Sequence, residues 1–205
     1  MRMKTRMLLG LALGISLFTT SCSDFLTEDP KGRLTPETYF STQDELNMSV
    51  YALYQKINQS QIYANMQYPQ WQGDDITTNP GSNKQAAAEI DRFSVANNNK
   101  GLTAVWNMHY GIIKAANFII ANAEKTPTSE EEINIALGQA KYWRGYAYFT
   151  LVRLFGPLPM NLDNVNDDYT LPLTPAEGVY EQIVKDLTGA EAVLPTGYKD
   201  AQIGR

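Results

Sequence analysis

The sequence predicts an all-α fold, and three observations carry that reading. Four stretches place apolar residues at three-and-four spacing, the repeat of one helix face. Three of the four open on residues suited to the unpaired amides of a first helical turn. No stretch alternates apolar and polar residues with comparable regularity.

Thr42-Gln43-Asp44-Glu45 opens the first helix as a capping box, in which a threonine hydroxyl and a glutamate carboxylate satisfy reciprocal backbone donors. Leu46, Val50, Leu53 and Ile57 then share a face. A second helix runs from about Leu102 to Glu124. Its stripe is Leu102, Val105, Trp106, His109, Ile112, Ile113, Ala116, Ile119 and Ile120. Ser129-Glu130-Glu131-Glu132 caps a third helix, with acid near the positive end of its dipole. That helix continues to Phe155 and stops at Gly156-Pro157. Thr174-Pro175-Ala176-Glu177 opens the fourth, with proline at the first helical position. Tyr180, Ile183, Val184, Leu187, Ala190 and Leu194 form its expected buried face, and Pro195 ends it.

A polar stretch from about Gln59 to Lys100 separates the first two helices. A connection of this length in a compact domain is either functional or locally structured. It holds Tyr63, Tyr68, Trp71, Asp74 and Asp75 together with Pro80-Gly81, and is the place to look for recognition.

The start of the chain is organised differently. Met1 to Arg6 carries three basic side chains and no acid, and Met7 to Phe18 is free of charge. That run is shorter than the roughly 20 residues a spanning helix needs. Its order of positive start, apolar middle and small residues Thr19-Thr20-Ser21 is that of a signal peptide. Cys22 follows directly and is the single cysteine of 205 residues, so no internal disulfide can form. Its placement resembles a bacterial lipobox, although Thr19 stands where the strict motif has leucine. Lipidation of Cys22 would tether the chain to a membrane, stable anchoring requiring more than one acyl chain. Ser23 to Leu34 is acidic, contains Pro30 and Gly32, and reads as an extended tether or a solvated linker. The expected organisation is thus a signal peptide over 1–21, a lipidated tether over 22–35 and a helical domain over 36–205. Four amphipathic helices with a large loop make a thin core, so the domain reads as the N-terminal portion of a longer protein.

Removing the signal leaves 14 basic against 22 acidic residues, a formal charge of −8. No basic stripe suited to nucleic acid is present. The 12 tyrosines, with frequent asparagine and glutamine, suit polar, stackable ligands such as sugars and are also ordinary for a secreted surface. No catalytic constellation emerges. His109, the sole histidine, lies on the apolar stripe of the second helix and reads as a packed residue. Asp74-Asp75 invites a glycosidase reading, because such enzymes set two carboxylates about 5–10 Å apart across a bond. Adjacent loop residues rarely straddle one substrate, so hydrogen bonding to sugar hydroxyls or loop backbone fits better. Trp106 and Trp143 fall inside long helices and read as packing residues. Arg144, near an apolar face, needs a carboxylate or carbonyl partner. Trp71 sits among Tyr68, Gln70 and the two aspartates, where a ring either stacks on a pyranose or anchors the loop.

Four blocks carry a resemblance to a family. CSDFLTEDPKGRLTPETYFSTQDELNMSVYALY at the start, WNMHYGIIKAANFII from Trp106, QAKYWRGYAYFTLVRLFGPLPM from Gln139 and LPLTPAEGVYEQIVKDLTGAEAVLP from Leu171 stand in order. Together with the closing Gly204-Arg205 they resemble the SusD/RagB family of Bacteroidota outer-membrane lipoproteins. The resemblance implies a fold of tetratricopeptide-like helix pairs and a non-catalytic surface protein with no cofactor. The implied role is capture of a nutrient, typically a glycan, for a partner SusC-like TonB-dependent transporter. Tyr68, Trp71, Asp74 and Asp75 are the candidate ligand contacts, and Cys22 the lipidation site. A helical-repeat scaffold or adhesion protein is the alternative, and a surface glycoside hydrolase a remoter one.

Overall fold

The computed structural model describes residues 39–60, 73, 75, 77–78, 85–163 and 170–197. The chain divides after Thr35, and all of these belong to the second unit, Pro36–Arg205. Numbered among the described residues, the helices are α1 (Gln43–Ser60), α2 (Gln85–Asp91), α3 (Lys100–Asn122), α4 (Glu130–Phe155) and α5 (Ala176–Glu191). A 3-10 turn, Ala123–Lys125, joins α3 to α4. Two short strands, β1 (Leu158–Pro159) and β2 (Leu173–Thr174), pair antiparallel, with Leu158 opposite Thr174 and Pro159 opposite Leu173. The fold is all-α, as expected, with this single two-residue ladder among the described residues.

Local chemistry sets the helix ends. The Thr42 hydroxyl accepts the Glu45 amide at 3.2 Å. The Glu45 carboxylate returns the contact one residue early, to the Ser41 amide at 2.9 Å and the Ser41 hydroxyl at 2.7 Å. Those bonds, the Ser41 hydroxyl first, hold Glu45 below its ordinary carboxylate range. Ser129 caps α4 by accepting the Glu132 amide at 3.3 Å. Gly156, at φ 72°, ends the helix in a backbone region that a side chain strains. Pro175 stands at the N-cap of α5 rather than inside its first turn, because Thr174 is held in the β ladder.

α3 and α4 pack along each other, α5 lies on α4, and α1 covers α3 and α4. Leu46, Val50, Leu53 and Ile57 of α1 are all buried against Ile112, Ile113, Ala116 and Ile119 of α3 and Ala140, Ala147, Tyr148 and Leu151 of α4. Aromatic rings close the edges of this core. Trp106 meets Phe155 edge-on at 5.1 Å, and Trp143 meets Tyr54 at 5.8 Å and Tyr146 at 5.4 Å. Both tryptophans therefore work in packing. The Tyr148 hydroxyl donates to the Asn161 carbonyl at 2.7 Å and Tyr110 to the Pro159 carbonyl at 2.8 Å, pinning the chain beyond α4 to the core. Burial pushes both phenols well above their usual range.

The buried face of α5 differs in part from the expected one: Ile183 and Ala190 are buried as expected, but Val179 and Asp186 accompany them. Tyr180, Val184 and Leu187, expected inside, are 41%, 63% and 38% exposed. The cause is Arg144 on α4. Its guanidinium donates through Nε and Nη2 to both oxygens of Asp186, at 2.8 and 2.7 Å, and through Nη1 to the Asn117 side chain of α3 at 2.8 Å. Gln182 donates to the same carboxylate at 2.9 Å. A buried charge needs its partner opposite, and turning Asp186 inward turns Tyr180 and Val184 outward.

Removing one member of that pair leaves the other buried and unpaired. Arg144→Ala is expected to destabilise the protein by about 3–5 kcal/mol, with the paired Arg144→Met, Asp186→Leu variant far closer to wild type. Thermal unfolding of the three proteins checks this, and an Arg144→Ala midpoint equal to wild type would refute the role.

Candidate functional site

The polar stretch between α1 and α3 is locally structured where it is described. Gln85–Asp91 forms α2, which rests Ala87 and Ile90 on the core side. Its acidic residues face the chain on either side and organise it. The Asp91 carboxylate accepts the Thr78 amide at 3.0 Å, the Thr78 hydroxyl at 2.9 Å and the Thr77 hydroxyl at 3.1 Å. Glu89 accepts the Asn99 side-chain amide at 2.8 Å and the Ala96 backbone amide at 3.2 Å. These bonds lower both carboxylates from their ordinary values, the Thr78 amide acting first on Asp91 and the Asn99 amide first on Glu89.

Asn99 joins this network to the core. Its side-chain oxygen caps α3 by accepting the Gly101 and Leu102 amides, both at 3.0 Å, while its nitrogen also reaches the Ala86 carbonyl at 3.0 Å. The helix consequently starts two residues before its apolar stripe does. The signal for this cap was an asparagine just ahead of the stripe. Asp91 and Glu89 carried no comparable sign, because both look like ordinary solvated acids of a short helix.

Of the sequence-based site residues, Asp75 is described and stands exposed in a turn. Cys22, Tyr68, Trp71 and Asp74 lie outside the described residues, as do the signal peptide and tether. The structure thus brings Thr77, Thr78, Asp91, Glu89 and Asn99 together as the frame that carries this region. Among the described residues, no group of three or more His, Cys, Asp or Glu side chains is placed to hold a metal ion. No helix among them is long and apolar enough to cross a membrane.

His109 is a packed residue. It is fully buried, and its Nδ1 donates to the Val105 carbonyl one turn back at 2.6 Å. Nε2 is then the unprotonated nitrogen, and it is buried without a hydrogen-bond partner. A substrate in solvent does not reach it.

A SusD-like family model, described as starch-binding and associating with the outer membrane, matches residues 24–204. The chain belongs to the SusD-like family. SusD-like protein P2 of Formosa agariphila is 29% identical over 194 residues, covering 92% of this chain and 37% of that protein. The chain therefore spans little more than a third of this relative's length. A laminarin-binding SusD-like protein superposes with a TM-score of 0.72 at 21% identity, over 81% of this chain and 37% of that one. A structure solved with xylogluco-oligosaccharide superposes with a TM-score of 0.63 at 24% identity, over 75% of this chain and 30% of that one. These likenesses establish the shared helical fold.

The His109 environment generates a pH prediction. Burial, outweighing the Val105 contact, lowers its pKa from the usual 6.5, so the unfolded chain takes up the proton first. Stability is complete above about pH 6.5 and falls as pH drops below it. Glu45, Glu89 and Asp91 add their own losses only near and below 4.5. Urea unfolding between pH 7 and pH 5 is expected to show the decline, and His109→Gln to flatten it.

Proposed function

We propose that this helical region belongs to a lipid-anchored outer-membrane protein that binds a glycan and passes it to a partner SusC-like TonB-dependent transporter. The carrying observation is the family match across nearly the whole chain, to a family described as starch-binding and associating with the outer membrane. Fold likeness to a laminarin-binding protein and to a structure holding a xylogluco-oligosaccharide supports the ligand class. The arrangement suits binding without catalysis: the sole histidine is buried, and Asp91 and Glu89, the acids of α2 beside the candidate loop, are occupied by loop amides and hydroxyls. In this reading Tyr68, Trp71, Asp74 and Asp75 contact the sugar. An aromatic ring covers the apolar face of a pyranose while carboxylates and amides bond its hydroxyls. Acylated Cys22 holds the protein at the membrane beside its transporter.

Affinity electrophoresis of the full-length protein through gels containing laminarin, xyloglucan or starch tests the ligand class. Retardation without release of reducing sugar is the expected result, and release of product would overturn the non-catalytic reading. Trp71→Ala is expected to weaken the retained interaction several-fold; equal affinity would remove Trp71 from the site. Labelled palmitate is expected to enter the wild-type protein and not Cys22→Ala, and label persisting in the variant would overturn the anchor.

A further inference from the structure

Phe93 combines a left-handed backbone with an exposed aromatic side chain. Its backbone is left-handed, at φ 53°, and among the described residues no other non-glycine residue has a positive φ. Its side chain is 75% exposed, more than any other large hydrophobic residue described. The backbone conformation has a clear local origin. α2 ends in a Schellman motif, with the Ser94 amide on the Glu89 carbonyl at 2.9 Å and the Phe93 amide on the Ile90 carbonyl at 3.0 Å. The residue between those bonds must be left-handed, which is why glycine favours the position. A phenylalanine there strains its Cβ against the following carbonyl. Within this chain the ring gains little packing to set against that strain. It also lies outside the aromatic pairs that tie the core helices together.

The turn that carries the ring is rigidly held. Glu89 accepts the Ser94 amide with its backbone oxygen, and the Ala96 amide and Asn99 side chain with its carboxylate. The Asn99 amide in turn donates to the Ala96 carbonyl at 3.0 Å. Residues 92–98 are exposed between those fixed points, so Arg92, Asn97 and Asn98 are exposed polar residues of the same turn. An aromatic face held in place loses little conformational freedom on binding.

We propose that Phe93 is a stacking platform for a pyranose ring of a bound glycan. This inference rests on the glycan-binding reading above and adds a residue to it. A protein partner fits less well: its interface needs roughly 800 Å² with an apolar centre. Here a single ring stands on a polar turn, with Val95, 42% exposed, its nearest apolar neighbour in sequence. One pyranose face matches one ring, and the exposed asparagines of the same turn are of the chemistry that bonds its hydroxyls.

Phe93→Gly, Phe93→Tyr and wild type, each as the full-length protein, should be compared in gels containing laminarin, xyloglucan or starch, alongside thermal unfolding. Phe93→Gly is expected to bind roughly three- to tenfold more weakly with an unchanged or higher unfolding midpoint, and Phe93→Tyr to bind as wild type. Wild type retarded and Phe93→Gly retarded equally would overturn the platform and leave glycan binding standing. A midpoint several degrees lower in Phe93→Gly would make the ring a packing element and also overturn it. Intact glycan affinity with lost transporter co-purification would place the ring at a protein contact instead. A wild type retarded by none of the three polysaccharides would overturn both readings.

Discussion

A guanidinium taken out of water between three helices fixes how this domain is assembled. Arg144 and Asp186 are 6% and 2% exposed, so neither charge retains its hydration. Their bidentate contact, with Asn117 and Gln182 completing it, is what makes that burial tolerable. Apolar replacements of buried pairs often cost little, so the contribution argued for this pair is orientation more than net stability. An apolar stripe tolerates rotation by a residue, whereas a two-pronged ion pair does not. The position of α5 therefore follows from one carboxylate, and the chain past β1 is fixed by carbonyls of Asn161 and Leu162 reaching Tyr148, Asn117 and Arg144.

The same contrast explains how much of the fold is legible in the sequence. α1, α3 and α4 can be read from spacing and caps because apolar periodicity, end signals and burial agree there. In α5 two overlapping stripes compete. Ile183 and Ala190 belong to both, Tyr180, Val184 and Leu187 extend them on one side, and Val179 and Asp186 on the other. Hydrophobicity selects the first extension, and the structure selects the second because Arg144 requires it. The need for a partner at Arg144 is visible in its apolar surroundings, but the identity of that partner is a long-range pairing, 42 residues away. Pairing α4 with α5 and asking which acid could meet Arg144 would have found Asp186.

Around the candidate site the legible part is smaller. The location of a structured polar segment follows from its length, and α2 lies within it. The carboxylates that organise it are not recognisable in advance, since Asp91 and Glu89 gain their roles from amides presented by Thr78, Ala96 and Asn99. Such contacts depend on backbone direction in a loop, which has no period to read. Asn99 is intermediate: its cap on α3 is a local rule, and its second bond to α2 is tertiary.

Exposed apolar groups in this protein consequently have two different origins. Tyr180 and Val184 face outward because the ion pair turns α5, while Leu187, 38% exposed, still lies over Gly145 of α4; Tyr180 meets Phe149 of α4, over whose ring the Arg153 guanidinium lies at 5.0 Å. Their helices are in ordinary conformation, so that exposure is a by-product of a constraint satisfied elsewhere. Phe93 is exposed on a turn whose own hydrogen bonds are complete and would be equally complete with glycine. Among the described residues the ring joins no aromatic pair, and the left-handed backbone strains a side chain at that position. Strain of this kind without evident packing inside these helices is the observation on which a binding role for the ring rests.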